Sequence, residues 1–170
     1  MTLRMPKAME TTSADWSARG RAVASPLIQR GRIYAEVNGP RSTGLAIANP
    51  GDQDTVISFF FTDSNGQNFG AGTTTIPAGQ QIAKFLDQAP FNGGNAIQGT
   101  FTFSATGPVS VCALRTFSNE RGEFLISTLP VVDLSAAIQS SSVLLPHFAD
   151  GGGWTTSAIL VNPTDNPIAG

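Results

Sequence analysis

The sequence predicts an all-β protein, an antiparallel β-sandwich, and three observations carry that expectation. Only 13% of the 170 residues are charged, while 18 are Gly and 11 Pro, a profile of short strands and tight turns rather than of helices. Ile97, Gly99, Phe101, Phe103 and Ala105 alternate with Gln98, Thr100, Thr102 and Ser104, the period of a strand with one buried face. Gly, Pro and Asn turns separate such runs at short intervals, with no repeated helical segment between them. The immunoglobulin pattern of two cysteines around a tryptophan is missing, so the sandwich is expected to be Ig-like in architecture only.

In chain order, Leu45 and Ile47 alternate with Ala46 and Ala48 until Asn49-Pro50-Gly51-Asp52 ends the run with turn chemistry. Thr55, Ile57, Phe59 and Phe61 then form a core face, with Val56, Ser58, Phe60 and Thr62 opposite. Asp63-Ser64-Asn65-Gly66 closes a hairpin, since Asn-Gly tolerates positive φ. Thr73–Ile76 reads as a short strand ended by Pro77-Ala78-Gly79. Residues 81–86 fit either a helical turn or a strand. Residues 91–95 are a loop. The strand 97–105 is expected to turn at Thr106-Gly107-Pro108 into a strand over 109–117, and Ser118–Gly122 turns that into 123–128.

The chain also echoes itself. Thr43–Asp52 (TGLAIANPGD) recurs as Thr156–Asp165 (TSAILVNPTD) at an offset of 113 residues, without a gap back to Gly39 and Gly152. Such internal similarity marks a tandem array. The expected organisation is a lead-in over 1–24, a complete sandwich module over 25–135, a linker over 136–142, and the truncated start of a second module over 143–170. A module of ~115 residues buries roughly two-thirds of its unfolded surface, enough for a core without disulfides.

Charge excludes several function classes. Seven of the ten basic residues precede position 42 and nine of the twelve acids follow it, with a net charge of −2. The arginines of the lead-in are too thinly spread for a nucleic-acid patch. No stretch reaches the ~18 apolar residues of a membrane-spanning helix, so neither nucleic acid nor membrane insertion is expected. The N-terminus carries no readable export signal, and with the interrupted repeat this points to an internal piece of a longer protein. Cys112 stands in an apolar strand-like run and is expected to be buried and inert.

The ordered series "GLAIANPG", "FFFTDSNG", "IPAGQQIAKFL", "GTFTFSATGPVSVCALRTFSNERGEFLISTLPVVDL" and "LPHFADGGGWTTSAILVNPTDNPIAG" resembles tandem β-sandwich modules in large secreted proteins of environmental bacteria, over residues 25–170. The resemblance implies a secreted or cell-surface setting and a role as spacer, stalk or adhesive unit. It carries over no catalytic residues.

No constellation reaches a catalytic signature, and no enzyme is expected. His147 is the sole histidine, no serine sits in a G-x-S-x-G elbow, and packing beside Pro146 and Trp154 accounts for it. Asp52, Asp54, Asp63 and Asn65 are the candidate calcium ligands, although calcium wants six to eight oxygens and the turns already explain these four. Trp154 after three glycines, with Phe91, Asn92 and Asn95 of the 91–95 loop, are the candidate contacts to a surface glycan. The apolar strand 157–161 is the candidate contact to neighbouring repeats. The expected function is a non-catalytic spacer or adhesive repeat; the alternative is a carbohydrate- or surface-ligand-binding sandwich.

Overall fold

The computed structural model describes residues 25–137, 148–153, 156–164 and 166. The expected lead-in, most of the linker, His147 and Trp154 lie outside the described residues. Among those described there is no helix. The strands are β1 (Leu27–Asn38), β2 (Arg41–Ala48), β3 (Thr55–Asp63), β4 (Asn68–Ile76), β5 (Gln81–Phe85), β6 (Ala96–Ser118), β7 (Phe124–Leu129) and β8 (Val132–Asp133). They form one antiparallel sheet of order β4-β3-β6-β1-β2-β5, with β7 on β6 and β8 on β1, curled into a half-barrel.

The curl comes from β6, which runs 23 residues without a break. Its first half lies between β1 and β3, and its second half pairs with β2 and β7. The turn expected at Thr106-Gly107-Pro108 is therefore corrected to a bend inside one strand. Residues 106–108 have no ladder partner on either side, so the missing amide hydrogen of Pro108 leaves no hydrogen bond unmade. Gly107 lets β3 come close: a Cβ there would stand 2.9 Å from Thr55 Oγ1.

Inward residues of both halves of β6 join one core. Ile57, Phe59 and Phe61 of β3 meet Phe101, Phe103, Val109, Val111 and Ala113 of β6, Ile33 and Ala35 of β1, and Leu45 and Ile47 of β2. Phe101 is fully buried. Its ring centroid lies 5.1 Å from that of Phe61, 5.2 Å from Phe91 and 5.5 Å from Phe59, distances at which edge-on and offset rings attract. Gly99 is required by the close approach of β3, because a Cβ would fall 1.9 Å from the Thr62 carbonyl oxygen.

Three further expectations are settled. Residues 81–85 are a strand, with Ile82 opposite Ile47. The segment expected as a short strand over 73–76 extends back to Asn68 across a bulge opposite Phe60. Cys112 is corrected from buried to exposed: Val109, Val111 and Ala113 take the core phase of β6, which turns residue 112 outward.

Truncating Phe101 to Ala removes the ring that four other rings pack against, and should cost about 3–5 kcal/mol. Urea denaturation checks this; an unchanged midpoint would contradict the packing. Gly99→Ala should also destabilise strongly, with no apolar surface removed, because its methyl group has no space beside β3.

Candidate functional site

The alternation that fills the core also builds the opposite face of the sheet. Arg30, Arg32, Tyr34 and Glu36 of β1 share that face with Gln98, Thr100, Thr102 and Ser104 of β6 and with Ser58, Phe60 and Thr62 of β3. Register aligns them in rows, Phe60–Thr102–Arg32 and Thr62–Thr100–Tyr34. Residues 159–162, 164 and 166 line, with this face, a cleft of about 990 Å³ that Arg32, Tyr34, Phe60, Asn68 and Gln98 also border.

Arg32 is the polar centre of the cleft and is only 7% exposed. Its Nε donates to Thr102 Oγ1 at 2.9 Å, which fixes the guanidinium plane. Its Nη1 donates to the carbonyl oxygens of Asn162 and Thr164, each at 2.8 Å. Hydrogen bonds from a charged donor are the stronger class, and a buried guanidinium needs them.

A second charged group closes one end of the face. Glu36 Oε2 accepts from Arg115 Nη2 at 2.7 Å and Nε at 3.0 Å, and Arg41 Nε stands 3.9 Å from Oε1. The Arg41 guanidinium carbon lies 5.2 Å from the Phe117 ring centroid. This cluster ties β1, β2 and β6 together where the sheet curls. Its acid is paired with both arginines.

Residues 149–166 share local hydrogen bonds with residues 36–53 at the 113-residue offset. Glu36 N donates to Thr43 Oγ1 at 2.9 Å, and Ala149 N to Thr156 Oγ1 at 3.0 Å. Gly51 N donates to Asn49 Oδ1 at 3.0 Å, and Thr164 N to Asn162 Oδ1 at 2.8 Å. Asn49 Nδ2 donates to Gln53 O at 2.8 Å, and Asn162 Nδ2 to Asn166 O at 2.7 Å. Gly39 and Gly152 both take positive φ, 53° and 61°. Residues 157–161, expected as a strand, are corrected to irregular chain: no described strand lies beside them to supply a ladder, and Leu160 is 93% exposed.

The sequence-derived candidates separate in space. Asp52 and Asp54 precede β3, whereas Asp63 is its last residue and Asn65 follows it. Nine extended residues hold the two pairs on the order of 26 Å apart, so the four cannot share an ion. Asp54 Oδ1 accepts from Ala78 N at 3.1 Å, and Asp63 Oδ1 accepts from Asn65 N and Gln67 N. Among the described residues no three His, Cys, Asp or Glu groups gather to hold a metal ion. Phe91 is corrected from exposed ligand contact to core: it is 2% exposed and packs edge-on against Phe59 and Phe101. Asn92 and Asn95 are exposed, with Asn92 left-handed at φ 47°, but the loop they share offers no ring face. Sequence reading missed the Arg32 face, although the alternation Arg30, Arg32, Tyr34, Glu36 could have disclosed it.

No protein-family model matches the chain, and no curated protein does. Among solved structures the chain is similar to Thermotoga maritima 1070, with a TM-score of 0.50 and 13% identity over 62% of this chain and 96% of that one. The Anabaena sensory rhodopsin transducer matches with a TM-score of 0.45 and 14% identity over 50% of this chain and 93% of that one. The first likeness shows a shared all-β fold and nothing of function.

The Gln67 amide, seconded by the Asn65 amide, holds the Asp63 carboxyl below its ordinary value of 3.8 against a smaller opposing effect of desolvation. The native hairpin thus prefers the ionised form. Its contribution is fully present above pH 3.8 and is lost as pH falls through the depressed native value. Asp63→Asn keeps the acceptor and removes the charge. The parent should be the more stable protein at neutral pH, and the gap should close in acid; thermal melts across pH check this, and a gap independent of pH would contradict it.

Proposed function

We propose that this chain is a non-catalytic structural repeat, a spacer or adhesive unit of a secreted or cell-surface bacterial protein. Residues 25–135 form a complete β-sandwich module of Ig-like architecture, and residues 143–170 open the next. The observation that carries the reading is the recurrence at one fixed offset of three side-chain hydrogen bonds and a positive-φ glycine. Two segments that share only ancestry of sequence need not repeat their Asx turn and threonine lock together; copies of one module do. The two-layer description is supported by the single core that inward residues of β1, β2, β3 and both halves of β6 share. The secreted setting is supported by the resemblance alone.

One observation favours a second reading, a glycan-binding module. Tyr34 and Phe60 lie among Asn68, Gln98 and Thr100 in the cleft, a mixture of rings and amides suited to a sugar. This relocates the candidate glycan contact from the 91–95 loop to the sheet face.

Deleting residues 143–170 separates these possibilities from a single-domain alternative. Residues 25–135 should retain a cooperative thermal transition, because among the described residues the core is drawn from them alone. Loss of that transition would make the tail part of the first module and overturn the repeat reading. A spacer should show no saturable binding on a glycan array; saturable binding abolished by Tyr34→Ala would establish the second reading instead.

A further inference from the structure

We propose that the Arg32 face is a seat for the Asn-Pro turn of the following copy, and that this contact fixes one module against the next. The proposal rests on the repeat reading above and names the partner of that sheet face. Three observations lead to it. Arg32 is anchored from beneath by Thr102, so its Nη1 is aimed before any partner arrives. Among the groups it meets are main-chain carbonyls two residues apart, Asn162 O and Thr164 O, and these are presented together because Asn162 Oδ1 and Nδ2 hold the turn through Thr164 N and Asn166 O. The third is a contrast between the copies. Pro50 and Gly51 of the first turn are exposed, whereas Pro163 and Thr164 of the second are half-buried; Gln53 and its counterpart Asn166 are both exposed. The tip of the turn is thus open to solvent at 50–51 and partly covered at 163–164, where Thr164 lines the cleft beside Arg32.

Recognition through backbone carbonyls explains why the two turns can differ at Gly51 and Thr164. The seat requires the turn, and the turn requires Asn and Pro. A guanidinium suits two carbonyls because its donors are fixed in one plane, which a lysine ammonium cannot imitate. At the 113-residue offset Arg32 corresponds to Leu145, so this seat belongs to the first copy and gives the junction a direction: the earlier module holds, the later one is held.

The test uses the full chain and solution NMR. In the parent, the Arg32 side chain should give through-space contacts to residues 162–164, and the amides of 161, 162, 164 and 166 should be as rigid on the nanosecond scale as those of β6. Arg32→Ala and, separately, Asn162→Ala should each abolish those contacts and release 161–166 to the mobility of the exposed 119–122 turn, with the core resonances of Phe59 and Phe101 unmoved. Arg32→Lys should release the segment too. A parent whose 161–166 segment is already mobile, or an Arg32→Ala protein whose segment stays rigid, would overturn the seat. Neither result touches the repeat reading, which stands or falls on whether residues 25–135 fold without the tail.

Discussion

Everything in this molecule hangs from the unbroken β6 strand. Four of the seven other strands hydrogen-bond directly to it, β1 and β3 along its first half and β2 and β7 along its second. A strand that serves two halves of a sheet must bend between them, and the bend falls where Gly107 and Pro108 carry no ladder. The bend brings the inward residues of both halves into one core. The same period of two that sends Phe101 and Phe103 inward sends Thr100 and Thr102 outward, and Thr102 is what orients Arg32. Core and cleft are thus two faces of one register. A one-residue slip of β1 against β6 would exchange them and bury Arg30 and Arg32 among phenylalanines, so register is held by both faces at once.

The face above β6 illustrates how a sheet presents charge without instability. Arg32 and Glu36 are each 7% exposed, a costly state for an unpaired ion. Glu36 is compensated from within the fold, by Arg115. Arg32 is met by Thr102 below and by two carbonyls from residues 162 and 164 above. One buried charge therefore stabilises the curled sheet, and the other joins it to the chain that follows.

Much of the fold was legible in sequence because alternation is a direct physical consequence of strand geometry. The runs over 55–62, 97–105 and 109–117 were read from it, and Phe59, Phe61, Phe101 and Phe103 do share one interior. The misreadings have specific causes. β1 has no strand expectation because Arg30, Arg32 and Glu36 interrupt it with charge, although Ile33, Ala35 and Val37 supply the buried alternation. Thr106-Gly107-Pro108 has the composition of a turn, and only the absence of a ladder partner lets it lie within a strand. Cys112 was placed by its apolar neighbours rather than by the phase of Val111 and Ala113. Phe91 stands in a Gly- and Asn-rich loop, and no local pattern tells a loop ring that folds inward from one that faces water. The Arg32 face depends on three strands distant in sequence, so it became visible only with the register.

Native-state hydrogen exchange would test the central claim, that one β6-built unit is complete in itself and the later segment is held to it by a separate contact. The amides of Phe101 and Phe103 in the first half of β6 and of Val111 and Ala113 in the second should exchange with a single opening free energy, that of global unfolding. Residues 161–166 should open at a distinctly lower free energy. Different opening energies for the two halves of β6, or a 161–166 segment that opens only when the whole sheet unfolds, would contradict the account.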